Sequence, residues 1–121
     1  MILLGQSATV TRRFDAADLA AFRALGGAEA VRVPEPLIGA LFSYLMGMHL
    51  PGPGTNYLKQ STRFLAPAPL GTPLTATVTV TRLRTDKRLV DLETTCRLPD
   101  GRLIAAGRAL VAAGDVASGW D

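Results

Sequence analysis

The sequence is poor in the residues that build metal centres and disulfide frameworks. Its 121 residues include one cysteine, Cys96, and one histidine, His49. A structural zinc site takes four Cys or His ligands and a disulfide takes two cysteines, so we expect neither a metal site nor a disulfide. A chain without a disulfide framework is typical of a reducing compartment, and we therefore expect a cytoplasmic protein.

The chain also lacks the features of nucleic-acid-binding and membrane-spanning proteins. Aromatic residues make up 6% of it, and its Lys and Arg residues are scattered without a run of like charge. Nucleic-acid-binding faces cluster cations and interleave stacking aromatics, so we expect no nucleic-acid partner. The longest apolar stretch, residues 37–48, is shorter than the roughly 20 residues of a bilayer-spanning helix, so we expect no membrane association. The net charge of +3 suits an acidic small molecule as ligand.

Helical signals fill the first half of the chain. Asp15 and Asp18 form a capping-box pattern, and Gly26-Gly27 follows about ten residues later, which predicts a helix over residues 16–25. Its apolar residues recur at helical spacing: Leu19, Phe22 and Leu25. Pro36 suits the first turn of a second helix over residues 37–48. That helix is apolar on nearly every face, so we expect it to be buried on all sides, with Ser43, Tyr44, Met46 and Met48 inside the core.

The second half of the chain alternates with a period of two. After the Pro-Gly turn at residues 51–54, strands are predicted over residues 55–65, 74–81, 90–98 and 103–113, and a short edge strand precedes the first helix at residues 7–13. The order is strand, helix, buried helix and four antiparallel strands, which indicates an α+β fold. The combination of one very apolar helix and a long antiparallel sheet indicates that the sheet wraps around the helix.

Three segments together resemble the MaoC-like dehydratases, the family of (R)-specific enoyl-CoA hydratases. They are residues 14–25, 50–58 and 64–71, and the likeness extends over residues 6–113. The resemblance implies one hotdog domain over residues 1–121. It also implies a hydro-lyase that adds water to a trans-2-enoyl thioester, with no cofactor beyond the coenzyme A thioester that is its substrate.

The residues that carry this chemistry in the family are not found here. The family places an Asp and a His in a G-D-x-N-P-x-H motif, where they act as an acid–base pair. Ala28 stands where the Asp is expected, no Asn-Pro-x-His follows, and the segment that holds the motif looks deleted. Pro36 replaces a Gly whose N–H stabilises the thioester oxygen, and proline has no N–H. We therefore expect very weak or absent hydratase activity.

Glu35 is the remaining candidate for a catalytic residue. It precedes the second helix, where the helix dipole stabilises a negative charge, and a simple capping role is the alternative. His49 follows the same helix, where complementing the dipole is the expected role rather than that of a base. The resemblance implies an acyl tunnel lined by substrate-binding residues. The candidates for this lining are Leu37, Ile38, Gly54, Thr55, Asn56 and Tyr57. Ordinary packing is the alternative role for them.

Three functions remain open at this point. The chain is a hydratase with a relocated active site, a non-catalytic subunit of a heteromeric hotdog hydratase, or a thioesterase or binder of acyl thioesters. In each case the ligand is an acyl-CoA or acyl-carrier thioester. A single hotdog domain leaves an open sheet edge, so we expect a homodimer or larger homo-oligomer, unless a catalytic hotdog partner takes that place.

Overall fold

The computed structural model describes residues 1–27, 31–117 and 119–120. In chain order its elements are β1 (Ser7–Arg12), α1 (Ala16–Ala24), α2 (Glu35–Met48), β2 (Asn56–Phe64), β3 (Leu74–Arg84), β4 (Leu89–Arg97) and β5 (Leu103–Ala112). The predicted order of elements is confirmed, and the bounds differ from the expected ones by one to three residues, most at the end of β3, which extends to Arg84.

The five strands form one antiparallel sheet in the order β1-β3-β4-β5-β2. β1 and β2 are therefore the two edge strands. The close contact between β2 and β5 depends on Gly107, because a Cβ there would collide with the carbonyl oxygen of Ser61. The edge of β2 that faces away from β5 carries unpaired backbone groups, which is the open edge expected for this fold.

The core lies between the sheet and α2. Period-two alternation buries one face of β3 and β4, as the sequence predicts, and Cys96 is buried there. From α2, five side chains join this core: Ile38, Leu41, Phe42, Leu45 and Met46. A central helix packed within an antiparallel sheet is the hotdog arrangement, so the predicted fold is confirmed.

One face of α2 is not buried, which corrects the expectation that it is enclosed on all sides. Tyr44 is 47% exposed and Met48 is 59% exposed, and Ser43 is also on the surface. The physical reason is that the sheet covers the helix from one side only. The apolar composition of the helix does not reveal which of its faces the sheet covers.

Helix α1 begins with the predicted capping box. The Asp15 carboxylate accepts from the N–H groups of Ala17 and Asp18, and the Asp18 carboxylate accepts from the Asp15 N–H. The hydrogen bond from the Asp18 N–H lowers the pKa of Asp15. Leu25, the predicted last residue of this helix, is instead its C-cap and is 91% exposed, because the helix ends at Ala24.

No helix in residues 1–27, 31–117 or 119–120 has the length and apolarity to cross a bilayer.

Candidate functional site

An open cleft lies where α2 begins and β2 ends. Its volume is about 230 Å³. Val33 holds the chain at this point, because it is buried and its N–H donates to the carbonyl oxygen of Ala68 at 2.9 Å. The cleft is lined by Arg32, Val33, Glu35, Ile38, Phe64, Leu65, Ala66, Pro67 and Ala68. Glu35 and Ile38, two of the predicted site residues, therefore share one cleft.

The N-terminus of α2 has few amide donors to offer a ligand. Pro34 is the N-cap and Pro36 lies in the first turn, and neither has an N–H. The Leu37 N–H already donates to the Pro34 carbonyl oxygen at 3.0 Å. Of these first positions, the Glu35 N–H alone has no acceptor among the described residues. An oxyanion hole works through several preorganised donors, so this helix start is poorly equipped for one.

Among the described residues that line the cleft, Glu35 is the one carboxylate. Its side chain is exposed and makes no ion pair or hydrogen bond with another residue of the described ranges. Arg32 lines the same cleft and is the only other ionisable side chain among its described lining residues. The described lining can therefore present one carboxylate and one guanidinium to a ligand, and it contains no second acid–base group.

The other predicted site residues lie elsewhere in the chain. Leu37 lines a separate, largely apolar groove of about 340 Å³ between β1 and α2, together with Val10, Phe14 and Tyr44. Thr55 follows α2 in a loop, where its hydroxyl donates to the Gly52 carbonyl oxygen at 2.7 Å.

Gly54 lies in the same loop and has a structural role. Its φ is +101°, and a Cβ there would collide with the carbonyl oxygen of Asp115. A left-handed conformation in close contact with another backbone segment requires glycine. This constraint accounts for Gly54 without a ligand.

Asn56 and Tyr57 begin β2, whereas the cleft lies at the end of that strand. Phe64 is seven positions after Tyr57, and an extended chain rises about 3.3 Å per position, so the two lie roughly 23 Å apart. Within one chain, the structure does not bring Asn56 and Tyr57 to Glu35.

A chain of polar side chains follows β2 from Tyr57 towards the cleft. The Tyr57 hydroxyl donates to the Gln60 side-chain oxygen, and the Gln60 Nε2 donates to the Thr62 hydroxyl at 3.1 Å. An irregularity between Tyr57 and Lys59 brings Tyr57 and Gln60 to the same face of the strand. Desolvation raises the pKa of Tyr57 to about 12, so its hydroxyl stays protonated and donates.

The only histidine is at the far end of α2. His49 is the C-cap, and its Nε2 lies 3.1 Å from the Tyr44 hydroxyl. Its predicted position at the C-terminus of the helix is confirmed. Ala28, which stands where the family has an Asp, lies outside the described residues. In the described ranges no three His, Cys, Asp or Glu side chains are grouped closely enough to hold a metal ion.

Several lining residues were not predicted as site residues. Phe64 at the end of β2 and the two residues after it, Leu65 and Ala66, close one side of the cleft, and Gln60 and Thr62 form the polar chain. Strict alternation along β2 identifies Gln60, Thr62 and Phe64 as one face. It assigns Tyr57 to the opposite face, because the irregularity after Tyr57 leaves no signal in the sequence.

The chain resembles hydratases of known structure in both sequence and fold. It is 38% identical over 124 aligned positions to an (R)-specific enoyl-CoA hydratase of Aeromonas caviae, covering 89% of this chain and 92% of that protein. The solved structure of the (R)-hydratase from A. caviae involved in PHA biosynthesis has a TM-score of 0.84 at 38% identity, covering 91% of this chain and 96% of that one.

A second solved structure, the unliganded R-hydratase PhaJ1 of Pseudomonas aeruginosa, is similar at lower identity. Its TM-score is 0.86 at 28% identity, and the match covers 92% of this chain and 81% of that one. No protein-family model matches the sequence.

Proposed function

The chain belongs to the MaoC-like family of (R)-specific enoyl-CoA hydratases, and from this premise we propose that it binds acyl thioesters at the Glu35 cleft and hydrates them weakly or not at all when alone. The observation that carries the proposal is the start of α2. This helix end has a proline at the N-cap, another in the first turn, and a single carboxylate beside them. That arrangement can hold a thioester but lacks an acid–base pair.

The length of the alignment with the A. caviae relative supports the loss of the catalytic segment. It spans 124 positions, more than the 121 residues of this chain, so the relative has residues with no counterpart here. The connector between α1 and α2 is short and contains neither His nor Asp. These facts agree with the interpretation that the segment holding the family's Asp and His is deleted.

A second hotdog chain is part of the proposal, because the site in one chain is small. Ligand pockets usually measure roughly 300–1,000 Å³, and the Glu35 cleft has about 230 Å³. If two β2 edges pair antiparallel across a two-fold axis, the Tyr57 end of one strand lies beside the Phe64 end of the other. The two predicted groups of site residues, separated within one chain, then meet between chains.

The test is to add crotonyl-CoA to the purified protein and follow three signals. Loss of the enoyl absorbance reports hydration, release of free thiol reports hydrolysis, and calorimetry reports binding. We expect saturable binding with little change in either chemical signal. No binding at any soluble concentration would contradict the proposal, and rapid thiol release would identify a thioesterase instead.

Glu35 is the residue that we expect any residual turnover to depend on. Glu35→Gln keeps the size of the side chain and removes the carboxylate, so residual hydration should fall to the background rate while thioester binding persists. Asp86→Gln is the matched control, because it removes an exposed carboxylate from the turn after β3. Unchanged residual turnover in Glu35→Gln would remove Glu35 from consideration.

A further inference from the structure

Three cations surround a small residue on the outer face of the sheet, at the β2 edge. Arg108 of β5 is paired with Ser61 of β2, and Lys59 and Arg63 lie two residues to either side of Ser61 on the same face. Neighbouring strands are about 4.8 Å apart, and Lys59 and Arg63 are about 13 Å apart along the strand. We call Lys59, Arg63 and Arg108 the cation triad. Because the Ser61 side chain is short, it leaves a hollow between them.

In the described part of the chain, no carboxylate forms an ion pair with the cation triad. Arg84 forms a two-bond ion pair with Asp91 at 2.9 and 3.1 Å. By contrast, no side chain of the triad makes an ion pair or hydrogen bond with another residue in the described part of the chain. Glu93 is the register partner of Arg108, but it forms no ion pair with it. Three like charges at this spacing repel one another, and a bound anion relieves that repulsion.

The outer depressions adjoin the Glu35 cleft at one residue. Two open depressions of about 580 and 610 Å³ on this outer face share Ser61 and Arg108. Leu65 lines the second depression and also lines the Glu35 cleft. One continuous surface therefore runs from the cation triad, over the exposed side chain of Leu65, to the start of α2.

We propose that the cation triad binds the phosphate groups at the carrier end of an acyl thioester, while the arm that carries the thioester crosses Leu65 to the Glu35 cleft. This inference rests on the proposed function and assigns residues to the ligand's other end. Guanidinium groups match phosphate oxygens in a two-bond geometry, and three cations spread over about 13 Å suit a ligand with more than one phosphate. Coenzyme A has this chemistry, with phosphates at one end and the thioester at the other.

The test compares adenosine 3′,5′-bisphosphate with adenosine as calorimetric probes. We expect the bisphosphate to bind and adenosine not to bind. The double variant Arg63→Ala/Arg108→Ala should raise the dissociation constant of the bisphosphate by about tenfold or more, which corresponds to about 1.4 kcal/mol, because it removes two charge-assisted contacts to phosphate. The matched control, Arg13→Ala/Arg102→Ala, removes two exposed arginines outside the triad and should change the dissociation constant less than about twofold.

A variant that changes shape without changing charge distinguishes binding in a defined hollow from attraction to the general positive charge of the surface. Ser61→Leu fills the hollow without altering any charge, and it should also weaken the binding of the bisphosphate. It keeps the inference testable if the double arginine variant does not fold. Equal binding of bisphosphate and adenosine, or equal weakening by the triad and control variants, would overturn the inference.

A thioester without phosphates distinguishes this inference from the proposed function. The crotonyl thioester of N-acetylcysteamine should bind at the Glu35 cleft and be unaffected by the triad variants. If it binds while the bisphosphate does not, the triad inference fails and the proposed function stands. If neither it nor crotonyl-CoA binds, the proposed function itself fails.

Discussion

Glu35 and His49 lie at opposite ends of α2. The helix runs from Glu35 to Met48 and His49 is its C-cap, so at 1.5 Å per residue the two are about 21 Å apart. A general acid–base pair must reach the same substrate atoms within hydrogen-bond distance. The carboxylate at the cleft and the only histidine of the chain therefore cannot work as a pair within one molecule.

Cys96 should be inert in the folded protein. Its thiol is buried in β4, and burial raises its pKa to about 11. At pH 8 only about one thiol in a thousand is then the reactive thiolate. We expect negligible labelling by iodoacetamide in native buffer, faster labelling as the pH rises towards 11, and full labelling in urea, measured by mass spectrometry. Rapid stoichiometric labelling of the native protein at pH 8 would show that the thiol is accessible.

Thr94→Val should stabilise the protein. The Thr94 hydroxyl is fully buried on the core face of β4 and has no hydrogen-bond partner among the described residues. Valine has nearly the same shape and no unsatisfied polar group, so the free energy of unfolding should rise by about 1 kcal/mol or more. Urea denaturation measures the change. Thr95→Val, on the opposite and partly exposed face of β4, is the control and should have a much smaller effect.

Leu58→Asp should disrupt the oligomer. Leu58 lies in the edge strand β2 and is 51% exposed in the single chain, where we expect another copy to pair. Multi-angle light scattering at micromolar concentration should show a dimer or larger assembly for the original protein and a monomer for this variant.

Leu4→Asp is the control for that experiment. Leu4 is 67% exposed but precedes β1, at the other edge of the sheet, so the assembly should be unchanged. A monomeric original protein would contradict the prediction, unless it assembles with a catalytic hotdog partner when the two are expressed together.

The fold was largely predictable from the sequence because two local rules decide it. Alternation from Leu74 to Val80 reports which strand face is buried, and the Asp15–Asp18 pair marks where α1 begins. The exposure of Tyr44 was not predictable, because it depends on where the sheet ends around α2. The position at which the sheet ends around the helix is set by tertiary packing, which produces no periodic pattern in the sequence.

The site was predictable only in part. Glu35 and Ile38 follow directly from where α2 begins, and the structure brings them together. Phe64 and Leu65 reach the same cleft from a segment distant in the sequence, through the pairing of β2 with β5. The cation triad depends on the same pairing, since Arg108 meets Ser61 only across strands.

The initial rate of crotonyl-CoA hydration by the purified protein tests the central claim most directly, with the A. caviae (R)-specific enoyl-CoA hydratase as the positive control. Loss of an acid–base pair alone lowers the rate by about 10²–10⁴-fold. Loss of an oxyanion donor lowers it further, but by less than the product of the two separate losses, because residues of one site act as a unit. We predict a rate at least about a hundredfold below that of the control. Turnover of about ten per second or more, ordinary for an enzyme, would contradict the account and require a second acid–base group, which the described lining of the Glu35 cleft does not contain.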